Sequence, residues 1–270
     1  METSSRLLKA RAILLLLGVA LAIFVPIWIG VAALGTKFGL WPWTVGLLKM
    51  IGSIGVPLIG LLFVMTFITS FLVVFIKPRA GFNALCLMWL VSMGAISMAF
   101  IAISTARAVP PIHDISTDPR EPLAFSATMI TARGSNSNPV LDPKEATVPF
   151  DKNNLGPWSG RTLADIQAEA YPAIKPLILK GVKPSDAYRK VERATKAMGL
   201  IIVSQDPATM RLEATAQSFW FGFKDDVIVS VHDMGDGARV DMRSISRVGV
   251  SDLGANAKRV STLLAAVKGT

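Results

Sequence analysis

Two adjacent carboxylates and an imidazole form the grouping most able to perform acid-base chemistry in this sequence of 270 residues. They are Asp225, Asp226 and His232. General acid and base catalysis needs such groups within hydrogen-bond distance of each other or of a shared water, about 3 to 4 Å. The grouping therefore suggests a hydrolase that acts on an anionic or envelope substrate. Alternatively, the aspartates only shape the entry to a strand, and His232 lies on its outward face.

The sequence carries no other recognisable catalytic pattern. It lacks G-x-S-x-G, P-loop, C-x-x-C and dinucleotide-binding motifs. Its two histidines, His113 and His232, lack zinc-ligand spacing. The single cysteine, Cys86, lies in an apolar stretch, which leaves the rest of the chain without a disulfide or thiol chemistry. The sequence therefore favours a non-catalytic protein with no catalytic residue, cofactor or metal.

An aromatic cluster is the first candidate binding surface. Phe219, Trp220, Phe221 and Phe223 supply four aromatic rings in five residues, and Lys224 follows. An apolar lip of this kind suits contact with lipid, a hydrophobic ligand or a partner protein. Alternatively, alternate rings close the end of the core, with Gly222 in a β-bulge.

A basic cluster is the second candidate. Arg239, Arg243 and Arg247 recur along one predicted strand, and the last predicted helix carries Lys258 and Arg259. Together they could hold phosphate or carboxylate groups. Alternatively, Arg239 and Arg243 pair with Glu213 and Asp241 on a solvent-exposed face. The complete set of candidate binding residues is Trp220, Phe221, Phe223, Lys224, Arg243, Arg247, Asn256 and Arg259.

Three long stretches without any charged residue precede these clusters: Ala12 to Thr36, Met50 to Ile76 and Ala80 to Ala106. About 20 apolar residues suffice to cross a bilayer as a helix. The sequence therefore predicts a three-span membrane region over residues 1–106. Because ion pathways usually need ionisable groups within the bilayer, a pump or proton-coupled transporter is disfavoured.

The positive charge is concentrated beside these spans. Residues 1–106 carry +6 of the net charge of +9, which disfavours nucleic acid as a partner. Basic residues near spans mark the cytoplasmic side. One side has Arg6, Lys9, Arg11, Lys77 and Arg79, and the other has Lys37, Lys49 and Arg107. The bias places the N-terminus in the cytoplasm and the C-terminal domain outside the inner membrane, in the periplasm of a Gram-negative cell.

The rest of the chain is interpreted as an extended arm rich in Pro, Ser and Asn (107–160) and a soluble domain (161–270). Strands are predicted at 200–204, 210–217, 227–232 and 239–244, with a hairpin at Gly235-Asp236-Gly237. Helices are predicted at 162–170, 184–198 and 252–267. These elements predict a two-layer α+β domain, in which helices cover one face of an antiparallel sheet.

Four segments resemble a known family: Pro110–Asp118, Glu213–Ala216, Trp220–Asp226 and Arg243–Arg259. They are similar to the domain of unknown function 1499 family of bacterial and plant proteins, whose bacterial members often have an N-terminal membrane anchor. The resemblance implies a shared compact domain in an envelope or organelle. It implies no reaction and transfers no catalytic residue.

The leading hypothesis is therefore a membrane-anchored, extracytoplasmic binding module that contacts membrane lipid or an envelope protein. The alternative is the envelope hydrolase that uses Asp225, Asp226 and His232.

Overall fold

The computed structural model describes residues 2–148 and 156–269. The chain divides into two compact units. The first comprises residues 1–104 together with 219–222, and the second comprises residues 105–218 and 223–270.

The first unit is built from long helices. α1 spans Glu2–Lys37, a π-helical segment at Thr44–Gly55 runs directly into α2 (Val56–Phe75), and α3 spans Phe82–Ala108. Three helical stretches are long and apolar enough to cross a membrane. The second begins at Thr44, earlier than predicted, so it includes Lys49.

Small residues and one buried cation organise this helical unit. A Cβ on Gly18 would overlap the side chain of Met88, because the end of that side chain packs directly against Gly18. Arg11 donates to the carbonyl oxygens of Ile76 (3.0 Å) and Pro78 (2.7 Å). The start of α1 and the turn between α2 and α3 therefore lie at the same end of the helices, as three successive spans require.

The second unit is an α+β domain, as predicted. Its helices are α4 (Ala127–Arg133), α5 (Leu163–Ala170), α6 (Pro184–Ala197) and α7 (Ala255–Gly269), with a short 3₁₀ helix at Gly156–Trp158. Its strands are β1 (Asp114–Ser116), β2 (Leu177–Lys180), β3 (Ile201–Asp206), β4 (Arg211–Gln217), β5 (Lys224–Asp233) and β6 (Gly237–Ser246).

The strands form one antiparallel sheet in the order β1-β6-β5-β4-β3. β3 to β6 are a meander of neighbouring strands. β1 and β2 both pair with β6, β1 along residues 243–245 and β2 along residues 237–240. Two short strands from distant parts of the sequence therefore cover the outer edge of β6.

The apolar core lies between the sheet and the helices. Alternate strand residues such as Val229 and Val240 meet Val191 of α6 and Leu263 of α7, and all four are buried. Local signals fix the helix ends. The Thr162 side chain accepts a hydrogen bond from the Asp165 N–H and caps α5. Gly199, with φ +70°, follows the end of α6.

Residues 107–148 contribute regular structure to this domain. They supply β1, which joins the sheet, and α4, which is capped by the Ser126 side chain. A β-bridge also joins Thr147 to Thr162. The segment between β1 and this bridge crosses the sheet face opposite the helices, as its contacts with polar strand residues show.

Candidate functional site

The polar face of the sheet is buried. The alternative interpretation of the basic cluster, in which Arg243 lies on a solvent-exposed face, is wrong, because Arg243 is only 3% exposed. Residues 117–141, hereafter the covering segment, lie over this face and supply hydrogen-bond partners to its charged side chains. Polar alternation therefore marks a second buried layer in this domain.

Asp226 is the centre of that layer. It is fully buried and receives hydrogen bonds from Arg133 of α4 (2.7 Å) and from two nitrogens of Arg247 (both 2.8 Å). The hydroxyl of Thr215 also donates to it at 2.7 Å. Two guanidinium groups thus share one carboxylate, and both also donate to carbonyl oxygens of the covering segment, at Asn138 and Ala132.

Arg243 forms the second buried ion pair. Its Nε and Nη2 donate to the two carboxylate oxygens of Asp114 in β1, at 3.0 and 2.6 Å. Its remaining donors reach the carbonyl oxygens of Leu123 and Leu141. This bidentate geometry is the strong form of an arginine–carboxylate contact. Arg243 therefore joins the edge strand β1 and two points of the covering segment, Leu123 and Leu141, to the sheet.

Glu213 completes the layer. It is buried, and it accepts hydrogen bonds from the backbone N–H (2.7 Å) and the hydroxyl of Ser126, the residue that caps α4. Burial lowers the pKa of Arg133, whereas the neighbouring Asp226 opposes that effect. Two sets of ion pairs and the carboxylate bound by Ser126 together form the buried network of this face. Its members are Asp114, Arg133, Glu213, Asp226, Arg243 and Arg247.

Arg243 and Arg247 form ion pairs inside the domain, with Asp114 and Asp226. Of the pairings predicted for the arginines, Arg239 does contact Asp241, at 2.8 Å. Arg243 pairs with Asp114 instead of Glu213 or Asp241. Within the described ranges, no buried side-chain nitrogen or oxygen lacks a hydrogen-bond partner. The positive charge of Arg243 and Arg247 is thus already compensated inside the fold.

The candidate acid-base residues do not converge. Asp225 pairs with Arg259 at 2.7 Å, and the adjacent Asp226 points to the opposite face of the sheet, toward Arg133 and Arg247. His232 lies six residues further along the strand, with its side chain 53% exposed and 3.8 Å from Asp241. The arrangement therefore lacks the geometry that the hydrolase hypothesis requires.

Asn256 and Arg259 lie together on α7, above the last residues of β6. The fully buried Asn256 amide donates to the His113 carbonyl and the Ser246 hydroxyl, both at 2.9 Å, and its oxygen accepts from Ser244 at 2.6 Å. Arg259 donates to Ser244 (3.1 Å) and Asp225 (2.7 Å). Asn256 is thus a structural joint between α7, β6 and the entry to β1.

The turn before α7 holds a half-buried carboxylate. The Asp252 side chain accepts hydrogen bonds from the N–H groups of Gly254 (2.7 Å) and Asn256 (2.8 Å). Burial nevertheless raises the pKa of Asp252 above its ordinary value, and these backbone hydrogen bonds oppose the rise.

The aromatic turn, residues 219–223, is exposed at its first two positions. Phe219 is 71% exposed and Trp220 is 58% exposed, whereas Phe221 and Phe223 are half-buried. The rings of Phe219 and Trp220 pack edge to face at 5.1 Å. Gly222 adopts φ +67° within the turn, and Lys224 is exposed as β5 begins. Two of the four rings therefore lie outside the core.

Strand register places this turn at a defined end of the sheet. Asp114 pairs with Ile245, Ile245 with Asp226, Asp226 with Thr215, and Thr215 with Ile201. This row marks the entry end, where the chain arrives from α3. The aromatic turn connects β4 to β5 at this end. The opposite end carries the β5–β6 turn at Met234.

Sequence reasoning missed two residues of the buried network, Asp114 and Arg133, and also Ser126, which binds Glu213. They lie in the segment interpreted as an arm, and the contacts they make are 87 to 129 residues away in sequence. Asp114 lies in the segment Pro110–Asp118, which resembles the family, and this resemblance is the sequence feature that could have identified it.

The architecture defines a membrane-anchored α+β protein, with apolar helices preceding a domain whose sheet is buried on both faces. Among the described residues, no group of three His, Cys, Asp or Glu side chains could hold a metal ion. Residues 114–267 match the family model described as "Protein of unknown function (DUF1499)", and the chain belongs to that family. A search of curated proteins found no match to the chain.

Proposed function

We propose that this protein is an extracytoplasmic, membrane-anchored binding module whose domain contacts membrane lipid through the aromatic turn. The observation that carries the proposal is the exposure of Phe219 and Trp220 at the entry end of the sheet. Exposed aromatic pairs of this kind favour the interface between lipid headgroups and water.

Chain length supports the contact with lipid. α3 ends at Ala108 and β1 begins at Asp114. Only five residues lie between them, so the Cα atoms of Ala108 and Asp114 are at most about 20 Å apart, a tether that permits the proposed contact.

A second apolar loop lies at the same end. The loop between β6 and α7 exposes Val250 (64%) and Leu253 (47%). It is bound to the chain that follows α3, because the Asp252 N–H donates to the Ile112 carbonyl at 3.3 Å. Leu253 also adopts φ +55°, a left-handed conformation that is unfavourable for leucine. Exposed apolar side chains on two loops support lipid as the partner.

Spin labelling tests the contact. The full-length chain would carry Cys86→Ser and Trp220→Cys, be reconstituted into phospholipid vesicles, and bear a nitroxide at position 220. We expect collisions with dissolved oxygen and protection from a water-soluble nickel complex. The matched control is Met234→Cys, an exposed site at the opposite end of the sheet, where the preference should reverse.

Equal access of the nickel complex at positions 220 and 234 would refute lipid contact. Protection from both reagents at position 220 would also refute it, because protein would then cover the turn.

The orientation is tested with the same cysteine. In spheroplasts of a Gram-negative host, an impermeant maleimide should label Met234→Cys without lysis. Ser5→Cys, near the N-terminus, should react only after lysis. The opposite result would place the domain in the cytosol and remove the extracytoplasmic part of the proposal.

A further inference from the structure

A cleft opens on the helix side of the sheet at the entry end. Its volume is about 380 Å³, which is within the usual range of ligand sites, about 300 to 1,000 Å³. It lies between the end of α6, the start of β3, the end of β4 and the first turns of α7. The lining residues that matter here are Met198, Leu200, Ala216, Gln217, Lys258 and Arg259.

The lining divides into an apolar wall and a cationic wall. Met198, Leu200 and Ala216 form the first, and Lys258 and Arg259 lie on the second. The lining includes no acidic residue. A groove with these two walls fits an amphiphile that has an anionic head.

The two cations differ in mobility. Arg259 is held by Ser244 and Asp225, which fixes its guanidinium and compensates much of its charge. Lys258 is exposed, and the described residues offer it no ion pair. Lys258 therefore supplies the positive charge that a ligand would meet first, and Arg259 supplies a preorganised donor group.

We propose that this basic cleft binds the phosphate headgroup of a membrane phospholipid, with the start of an acyl chain against Met198 and Leu200. The proposal rests on the proposed function, since it uses the same end of the domain. Gln217, at the edge of the cleft, is separated from Phe219 by a single residue. A lipid that the aromatic turn approaches is therefore within reach of the cleft.

Photocrosslinking tests the site. The full-length chain would be placed in phosphatidylcholine nanodiscs that contain a minor fraction of phosphatidic acid with a diazirine near the glycerol end of one acyl chain. After irradiation, peptide mass spectrometry should find the label on residues 198–200. Lys258→Glu should reduce this labelling at least about fivefold, because one basic residue near a lipid surface contributes about that factor.

The matched control is Lys180→Glu. Lys180 is also exposed, but it pairs with Gly237 at the other end of the sheet, so its reversal should leave the labelling of residues 198–200 unchanged. An equal reduction in both variants would attribute the effect to overall charge and overturn the site.

Competition identifies the source of the phosphate. Soluble dihexanoyl phosphatidate should displace the probe, whereas inorganic phosphate at the same concentration should not. Equal displacement by both would make the cleft a small-anion site and overturn the lipid assignment. Label confined to the apolar helices would overturn the cleft altogether.

The two proposals fail separately. If the cleft is wrong but the aromatic turn contacts lipid, residues 198–200 stay unlabelled while the spin label at position 220 remains in lipid. If the turn is wrong, the spin label reports water whatever the crosslinks show.

Discussion

The two faces of the domain's sheet are both buried, but they are covered in different ways. The helix side carries Val229 and Val240 and is covered by apolar residues of α6 and α7. The other side carries Glu213, Asp226 and Arg243 and is covered by a segment that supplies matching charges and backbone carbonyls. The helices exclude water from the first face, and the covering segment excludes it from the second, where ion pairs and hydrogen bonds offset the lost hydration of the charges.

This difference has consequences for specificity and stability. Apolar contacts tolerate many neighbours of the right volume. Buried charges are favourable only when each one has its partner in place. Removal of one partner destabilises the fold strongly, whereas replacement of the whole pair by apolar residues often changes the stability little. The covering segment is therefore fixed in one position on the sheet, and removal of a single charge should be felt throughout the polar face.

The largest effect is expected for Asp226→Ala. This change leaves Arg133 and Arg247 side by side without their shared carboxylate, and should cost about 3 to 5 kcal/mol in the free energy of unfolding. Pulse proteolysis in urea, on the full-length chain in mild detergent, would measure the cost. Asp236→Ala, at an exposed turn, should cost less than about 0.5 kcal/mol. Similar losses for both variants would mean that the network is not cooperative.

The apolar face gives the next effect. Leu263→Ala removes a fully buried side chain of α7 and should cost about 2 to 4 kcal/mol through lost burial and a residual cavity. Pulse proteolysis in urea would measure this loss too. The control is Leu264→Ala, which truncates a half-buried neighbour and should cost less. A Leu263 loss well above that of Asp226 would reverse the ranking of the two faces.

A smaller effect is expected at the rim of the polar face. Arg239→Ala breaks a pair with Asp241 in which the arginine side chain is 37% exposed. Partly exposed pairs contribute about 0.2 to 1 kcal/mol, so the loss should stay within that range and shrink as salt is added. A loss comparable to that of Asp226→Ala would extend the buried network to the rim.

The smallest effect concerns pH and Asp252. Burial raises its pKa, so the folded state holds this proton more tightly than the unfolded state does. The contribution of Asp252 to the free energy of unfolding should therefore fall as the pH rises from the ordinary aspartate pKa to the raised one. Thermal unfolding of wild type relative to Asp252→Asn should show that decline in the acid range. The control Asp236→Asn should differ from wild type by the same amount at every pH. The same constant difference for Asp252→Asn would contradict the prediction.

Much of the fold follows from local pattern. Alternation along β4, β5 and β6, the cap at Thr162 and Gly199 after α6 can all be read from neighbouring residues, and the helices and strands formed near the predicted positions. The apolar spans could be predicted because each needs only its own composition.

The covering segment could not be predicted in this way. Arg243 and Asp241 alternate with apolar residues, as expected for an exposed face. No neighbouring residue indicates that Arg243 will pair with Asp114 or that Asp241 will bind Thr117. Such pairing depends on contacts more than 100 residues apart. The aromatic turn could be predicted because its exposed rings are neighbours in sequence. The cleft could not, because four separate elements form it.

The position of β1 also determines when the domain can be completed during synthesis. β1 emerges directly after α3, but β6, its strand partner among the described residues, is made only after β2 to β5. A nascent chain that has not yet exposed Gly237 lacks the neighbour of both β1 and β2. Closure of the sheet therefore awaits the synthesis of β6, and a ribosome that stops before it leaves those two strands without their pairing partner.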